Sequence, residues 1–509
     1  MNRLPDLRLA TLFTLLLFSA GCSVGPNYKR PVAAVPPAFK EQPPVNFKEA
    51  EAAGWKPSQP GDAFSKGRWW ELYNDGALNA LEEQVSVSNQ NVLQAEAQYR
   101  QARAAVGVAR AALLPVASTA PAATFAGGSS GGTAGGSGSG ASGSRKSFTL
   151  PFNVSWEPDL WGNIRRGVTA GTATAQALAA NVGNARLLYQ AELAADYFGL
   201  HGKDGEAELL ARTEASYREY LALTRNRVSF GVAADLDVAQ AESQLYEVQS
   251  QLMDLGVQRA AFEHAIAILI GKAPAELTIP AAAVSASPPP VPLGVPSELL
   301  ERRPDIAMAE RQVAAANEQI GIAIAAFYPT LSLTGSAGLE SSSLAKWFTW
   351  PSRFWSVGPQ LAESLFDGGR RRGVVVEERA AYDATVAGYR ETVLTAMQQV
   401  EDNLAALRIL AGEADKVQQT VQAATRALDI STEQYRAGTA SYLPVITSQA
   451  ALLTADVTAV TLLTRRLTAS VLLIEALGGG WNASQLPTKQ AVAAQDRQPG
   501  AATPEKEVR

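Results

Sequence analysis

The sequence has few of the residues from which active sites and metal centres are usually built. Its 509 residues include one cysteine, Cys22, and two histidines, His201 and His264. A single cysteine excludes an intrachain disulfide, and two histidines leave a histidine-rich metal site or a catalytic triad poorly supplied. His264 lies among apolar neighbours and fits a helix seam better than a ligand set. We therefore expect no enzyme, no metal and no cofactor.

Two further absences narrow the class of protein. The net charge is -5 and no basic cluster is present, which argues against a nucleic-acid partner. Beyond the N-terminus, no uninterrupted apolar run reaches the roughly 18 residues typical of a membrane-spanning helix. A membrane protein without such helices needs a closed β-barrel, because lipid offers no hydrogen-bond partners to free backbone groups.

The N-terminus has the parts of a secretory signal peptide. Arginines precede the apolar run Leu9–Phe18, and small residues then lead to Cys22. Cys22 resembles the acylated cysteine of a bacterial lipobox, although Ser19 stands where that pattern usually has leucine. We predict a covalent lipid on Cys22, and two or more acyl chains would hold the chain stably at a membrane. Plain signal cleavage with a spare cysteine is the alternative.

The stretch Ser147–Glu157 alternates between apolar and mostly polar side chains. Successive side chains of a strand point to opposite sides, so one face would be apolar. That face would carry Phe148, Leu150, Phe152, Val154 and Trp156. A strand of about 9–11 residues crosses the hydrocarbon layer, and we predict a transmembrane β-strand here. A half-buried strand of a soluble sandwich is the alternative.

Aromatic residues cluster around a second predicted hairpin. They are Trp347, Phe348, Trp350, Phe354 and Trp355. An interfacial girdle of a membrane barrel has this composition. A small aromatic core of a soluble protein is the alternative.

The chain contains an internal repeat. Ala95–Pro115 and Ala309–Pro329 are both alanine-rich helical patterns that end at proline and lead into a β-like run. Farther on, Gly231 and Gly438 each separate two long helical patterns. Each half is therefore predicted to run helix, strand, strand, long helix, turn, long helix.

The repeat sets the predicted elements and domains. The predicted helices are Asp75–Leu114, Ile164–Phe230, Asp235–Ile270, Asp305–Phe327, Arg370–Ala437 and Tyr442–Leu477. The predicted strands are Pro115–Ala126, Ser147–Glu157, Thr330–Leu339 and Phe354–Phe366, and candidate helix breaks are Gly202–Gly205 and Ala411–Gly412. The predicted domains are a signal peptide (1–21), a lipidated extended arm (22–74), a first repeat (75–280), a linker (281–304), a second repeat (305–481) and a disordered tail (482–509).

Four strands per chain are too few to close a barrel, since about eight is the smallest number that spans a membrane. Their edges would have to pair with other copies of the chain, and three copies would supply about twelve strands around a rotational axis. Several predicted helices are longer than a membrane is thick, at about 1.5 Å per residue. A long coiled coil without a pore would give a similar helical periodicity.

In combination, several motifs resemble the outer-membrane factors of tripartite efflux systems, which are TolC-like, and most of all their NodT-type lipoprotein branch. The motifs are Gly21-Cys22 to Pro31, Trp69-Trp70 with Leu72 and Asp75, Pro296–Asp305, Leu365–Gly369 and Ala476–Trp481. The resemblance implies an α+β membrane protein, a homotrimer with a 12-stranded β-barrel in outer-membrane lipid, a long periplasmic α-helical barrel and an equatorial domain. It also implies two protein partners, a periplasmic adaptor (membrane fusion protein) and an inner-membrane pump of the RND type.

The same resemblance assigns roles to the helix turns Phe230–Leu236 and Tyr435–Leu443. In the family such turns contact the adaptor and close the duct, and Leu443 matches the apolar constriction. Relatives often carry Asp and Arg where this chain has Thr447 and Ala450. The gate candidates are Leu443, Thr447, Asp235 and Asp237, and the adaptor-contact candidates are Gly231, Val232, Arg436, Gly438 and Thr439. Helix N-capping is the alternative role of the two aspartates.

Two other functions stay open on sequence alone. Type I protein secretion uses the same architecture, and no sequence feature separates it from efflux. A periplasmic coiled-coil lipoprotein scaffold without a pore is the other alternative.

Overall fold

The computed structural model describes residues 23–33, 35–41, 56–57, 67–126, 145–289, 292–293 and 296–494. The predicted signal peptide, Cys22 and the Gly/Ser-rich stretch between the first two strands lie outside the described residues. The α-helices are α1 Gly76–Ser88, α2 Gln90–Ala111, α3 Asn163–Ser229, α4 Asp235–Leu269, α5 Leu299–Arg302, α6 Pro304–Ala325, α7 Arg370–Arg436, α8 Leu443–Ala476 and α9 Lys489–Ala494. The β-strands are β1 Val116–Thr119, β2 Ala122–Ala126, β3 Arg145–Trp156, β4 Thr330–Ser341 and β5 Arg353–Ala362, and a short parallel bridge pairs Lys56–Pro57 with Pro292–Leu293.

The internal repeat is present with matching helix lengths. Helices α2 and α6 each have 22 residues, and α3 and α7 each have 67. Gly162 and Gly369 precede the two long helices with φ of 84° and 90°, a left-handed conformation that glycine adopts without steric cost. At about 1.5 Å per residue each long helix extends roughly 100 Å, more than twice the thickness of a bilayer.

Two elements predicted as continuous in the first half are each divided into two. The helix predicted from Asp75 is interrupted at Asn89, whose side chain accepts hydrogen bonds from the backbone N–H groups of Asn91 (2.9 Å) and Val92 (3.1 Å). Asn89 therefore ends α1 and caps α2. An asparagine side chain that bonds to nearby backbone N–H groups in this way favours a cap over a position inside a helix. The first predicted strand is also divided, at the Ala120-Pro121 pair between β1 and β2.

The predicted breaks at Gly202–Gly205 and Ala411–Gly412 are also wrong, because α3 and α7 run through them as continuous helices. Gly202 lies against α8, and a Cβ atom added there would stand 2.4 Å from Thr464 Oγ1. The glycine at this point permits close packing of two helices rather than a kink.

Part of the predicted disordered tail is ordered. Helix α9 packs on the first repeat, where Val492 is buried with Val106 and Ala175. The Gln176 side-chain amide donates to the Pro487 carbonyl at 2.9 Å. Residues 495–509 lie outside the described part of the chain.

One core joins the two repeats midway along the molecule. Trp69 is fully buried, and its ring packs edge to face on Trp70 with centroids 5.9 Å apart. Tyr73 shares a 2.7 Å hydrogen bond with Ser470 of α8, and the Tyr197 hydroxyl of α3 donates to Asp75 at 2.8 Å. The Trp69-Trp70 motif thus ties the start of the first repeat to helices of both repeats.

Helix α8 is, among the described helices, the one long and apolar enough to cross a membrane by length and composition. Part of its apolar surface packs in the shared core, where Leu467, Val471 and Ile474 are fully buried. Core helices of water-soluble regions meet the same criterion of length and composition.

The strands form one antiparallel sheet in the order β1/β2, β3, β4, β5, with β1 and β2 both paired to β3. The predicted two faces are present in the register. On one face Leu150 lies opposite Leu339, and on the other Asn153 lies opposite Ser336, whose hydroxyl donates to the Asn153 side-chain oxygen at 2.8 Å. Paired strands therefore align apolar with apolar and polar with polar.

Candidate functional site: a two-faced sheet and paired helix turns

No element of the described chain covers the apolar face of the sheet. Phe152 in β3 is 59% exposed, and Val357 in β5 is 79% exposed. A soluble sandwich would bury such a face against a second layer about 10 Å away. Apolar side chains left uncovered on strands that alternate with polar ones are typical of a lipid-facing sheet.

The aromatic residues predicted as a girdle lie at the far end of the hairpin between β4 and β5. Trp347 contacts Phe148 and Phe348, with ring centroids 5.9 and 5.0 Å away. Trp350 and Trp355 are largely exposed, and the Arg353 guanidinium lies 3.5 Å from the Trp350 ring centroid. A soluble aromatic core would bury these rings, so their arrangement fits a membrane–water interface better.

A second aromatic pair marks the other end of the sheet, where strands meet helices. Trp161 stacks on Tyr328 with centroids 4.8 Å apart, and its indole N–H donates to the Pro329 carbonyl at 2.8 Å. The backbone N–H of Val24 donates to the Trp161 carbonyl at 3.1 Å. The first described residues after Cys22 are thus attached at this junction of sheet and helices.

The N-terminal arm continues from that junction along the helices. Arg166 of α3 is buried and donates to the carbonyls of Val24 (2.7 Å) and Pro26 (3.2 Å) and to Glu318 of α6 at 2.6 Å. Farther on, Glu41 pairs with Arg408 of α7 at 2.6 Å. The described residues 23–33 and 35–41 form no helix or strand, and they contact helices of both repeats.

At the opposite end of the long helices, the two predicted turns have the same geometry. Gly231 and Gly438 adopt φ of 71° and 75°. The N–H groups of Val232 and Thr439 reach back to the carbonyls of Arg227 (2.9 Å) and Gln434 (3.0 Å). This arrangement is the Schellman motif, in which a left-handed glycine ends a helix.

A cluster that the sequence analysis missed joins the two turns. Arg227 donates to the Tyr435 carbonyl at 2.6 Å, and its guanidinium lies 4.4 Å from the Tyr435 ring centroid. Tyr435 packs on Tyr442 with centroids 5.2 Å apart, and both rings are buried. Burial raises the pKa of the neighbouring Tyr217 to about 12. The tyrosines on the two sides of the second turn are a sequence signal for the Tyr435–Tyr442 packing, but not for the contact with Arg227.

The gate candidates lie at the first turns of α8 and α4. Leu443 is 56% exposed at the first position of α8. Thr447 is occupied locally, because its hydroxyl donates to the carbonyls of Leu443 (3.2 Å) and Pro444 (3.0 Å). Asp237 accepts from the Ala234 N–H at 3.4 Å, which is a capping contact, and Asp235 is the first residue of α4.

The adaptor-contact candidates lie on the surface of the same two turns. Val232 is exposed beside Phe230, which is 82% exposed. Arg436 pairs with Glu433 at 3.1 Å, and the Thr439 hydroxyl donates to the Gln434 carbonyl at 3.0 Å. Since Arg227 links the turns, the structure brings the candidates of both repeats to one end of the molecule, far from the sheet.

Three carboxyl groups with a raised pKa, Glu475, Asp196 and Glu82, lie in the helices away from the two turns. Burial raises the pKa of Glu475 to about 7, against the opposing effect of Arg303, and raises the pKa of Asp196 to about 6 with a further contribution from Glu192. Burial alone raises the pKa of Glu82 well above its usual range. Among the described residues, no group of three or more His, Cys, Asp or Glu is placed to hold a metal ion.

The described chain thus joins a two-faced, uncovered sheet to long helices, of which α3 and α7 each extend roughly 100 Å. Residues 81–272 and 295–479 match the model of the outer membrane efflux protein family. The chain belongs to this family, and the outer-membrane resemblance drawn from its motifs is confirmed.

Curated relatives match over almost their whole length. The chain is 30% identical over 470 residues to the probable efflux pump outer membrane protein SepC of Pseudomonas putida, covering 91% of this chain and 95% of the relative. It is 29% identical over 493 residues to the outer membrane protein OprJ of Pseudomonas aeruginosa, covering 94% and 97%.

Solved structures agree in fold. The outer-membrane channel OprN matches with a TM-score of 0.81 at 27% identity, covering 90% of this chain and 100% of that one. The CmeC outer membrane channel of Campylobacter jejuni has a TM-score of 0.81 at 23% identity, covering 93% and 98%.

Proposed function

We propose that three copies of this chain form a 12-stranded β-barrel in the outer membrane, continuous with a periplasmic α-helical barrel. The carrying observation is the sheet, whose apolar face is uncovered and whose outer strands β1/β2 and β5 have no further strand partner among the described residues. Open edges cannot stay in lipid with unpaired backbone groups, so they must pair with neighbouring copies.

The assembly would act as a passive, gated exit duct for substrates delivered by an inner-membrane RND-type pump and a periplasmic adaptor. Named relatives support efflux over type I secretion, since TtgF of Pseudomonas putida is a toluene efflux pump outer membrane protein and SepC a probable efflux pump component. In this mechanism no bond is made or broken. The partner biases an equilibrium between closed and open arrangements of the helix turns.

The gate and the adaptor contact would lie at the paired turns. Leu443 projects from the start of α8 and is exposed in the single chain, as a ring of apolar side chains around a pore requires. An apolar constriction excludes ions by dewetting. Asp237 serves helix capping, so a gate of apolar contacts suits these residues better than a charged ring.

The lipid anchor would sit beside the barrel. Val24 is bonded at the Trp161 junction, and Cys22 precedes it by two residues. An acyl chain on Cys22 would therefore start at the aromatic level of the periplasmic leaflet, where a lipid can enter without stretching the arm.

Copurification from cells tests this function. A tagged wild-type chain, cross-linked in cells, is expected to recover an adaptor and an RND-type pump. Charges at the turns, in the double variant Val232→Asp/Thr439→Asp, should reduce this recovery, whereas the control Val32→Asp on the exposed arm should not. Recovery of type I secretion components with the wild-type chain would overturn efflux, and undiminished recovery with the turn variant would overturn the contact surface.

A further inference from the structure

The internal repeat contains a template for the contact between chains. Within one chain, β3 of the first repeat pairs with β4 of the second repeat. In a closed ring, β5 of the second repeat meets β1/β2 of the next chain's first repeat. If the repeats are equivalent, this contact has the same register as the contact between β3 and β4.

The correspondence between repeats is fixed to the residue. The first parts are offset by 214, since Gln90–Ala111 corresponds to Pro304–Ala325. The second parts are offset by 207, since Asn163–Ser229 corresponds to Arg370–Arg436. The strand pairs inside each repeat agree, because Val116 pairs with Ser155 and their counterparts Thr330 and Ala362 also pair.

Applying these offsets to the pair Leu150–Leu339 gives a specific contact between chains. The residue 207 positions after Leu150 is Val357, and the residue 214 positions before Leu339 is Phe125. We propose that Val357 of β5 lies directly opposite Phe125 of β2 in a second copy of this chain, and that this register closes the ring. The proposal rests on the proposed trimer and specifies how its walls join.

Two features of the single chain agree with this register. Val357 and Phe125 are 79% and 66% exposed. Both lie on the apolar face, because Val357 is opposite Gly335, next to Ala337 and Leu339 on that face, and Phe125 is opposite Lys146, next to Phe148. The joined sheets would therefore keep one continuous apolar face, which a slip of one residue would destroy.

Cysteine cross-linking of the full-length protein tests the register. Side chains directly opposite have Cβ atoms about 4.5–5.5 Å apart and diagonal ones about 7–8 Å, whereas a disulfide needs about 3.5–4.5 Å. After mild oxidation in membranes, the variant Val357→Cys/Phe125→Cys should yield covalent dimers and trimers. The controls Val357→Cys/Ala123→Cys and Leu361→Cys/Ala123→Cys, which are slipped by two residues in either direction, should yield several-fold less. Single-cysteine variants measure any contribution of Cys22.

The outcomes separate this inference from the proposed trimer. Preferential cross-linking of either slipped pair, or of no pair in a sample that is trimeric by native mass, would overturn the register. A sample that is monomeric by native mass would overturn the proposed function itself. Covalent trimers with the first pair alone would support both.

Discussion

Arg227 and Tyr435 connect the two helix turns of a single chain through a 2.6 Å hydrogen bond and a cation–π contact of 4.4 Å. The first residue belongs to α3 and the second to α7, so the link crosses between the repeats. Replacing Arg227 with Ala removes both interactions, at a cost of about 1–3 kcal/mol in local stability. Amide hydrogen exchange should accelerate in both turns of the Arg227→Ala variant, and less so in Arg227→Lys. Unchanged exchange in the second turn of Arg227→Ala would contradict the link.

Leu443 is predicted to close the duct by apolar contact. Leu443→Ser should raise the resting conductance of the purified protein, because a polar ring wets more easily than an apolar one. The matched control is Val257→Ser, which changes an exposed apolar residue of α4 away from the turns. Equal resting conductance in wild type and Leu443→Ser would remove Leu443 from the gate.

Cys22 is predicted to carry the lipid anchor. Cys22→Ser should abolish incorporation of labelled palmitate while leaving the trimer able to form, since the arm holds the body through residues from Val24 onward. Labelling and native mass, measured on the same sample, check both parts. Labelling that persists in the variant would show that acylation occurs elsewhere.

Glu475 is expected to make stability depend on pH. Burial raises the pKa of this carboxyl to about 7 in the folded chain, above its ordinary value of 4.5, so the folded state binds more protons between these values. Stability should therefore fall as pH rises from about 5 to 8. Glu475→Gln should flatten this dependence and raise stability at pH 8 by on the order of 1 kcal/mol. Parallel thermal unfolding profiles of variant and wild type would contradict the expectation.

Gly202 is expected to be needed for helix packing. Gly202→Ala places a methyl group 2.4 Å from Thr464 Oγ1, and overpacking of this kind costs about 1–3 kcal/mol. Gly412→Ala is the matched change on α7, where a Cβ atom would meet nothing within 4 Å. That variant should gain up to about 1 kcal/mol from helix propensity. Thermal unfolding compares the stabilities of Gly202→Ala and Gly412→Ala with that of the wild type. Equal changes in the two variants would contradict the packing role of Gly202.

Much of the fold was predictable because the repeat is written into the sequence. Pro115 and Pro329 follow the ends of α2 and α6, and Gly231 and Gly438 follow the ends of α3 and α7, so the ends of these helices were predictable. The alternation of apolar and polar residues in β3 likewise predicts its two faces. The break at Asn89 was missed because asparagine signals a cap only when neighbouring residues favour one. Gly202 was misjudged because a packing glycine and a helix-breaking glycine look alike without the opposing Thr464.

The candidate site was only half predictable, for a related reason. The turn glycines have a local conformational cause, which a sequence reveals. The cluster of Arg227 with Tyr435 depends on two helices far apart in the chain, and neither residue type signals that contact alone. The Glu41–Arg408 pair of the arm is likewise a contact over long sequence separation.

The most direct test of the account is the conductance of the purified protein in a planar bilayer, with its mass measured in the same detergent. We predict a particle of three chains that inserts into the bilayer and has a low resting conductance. The conductance of the Leu443→Ser variant should be higher. A single chain that neither enters the bilayer nor conducts would contradict the account, whatever the fold of the isolated chain.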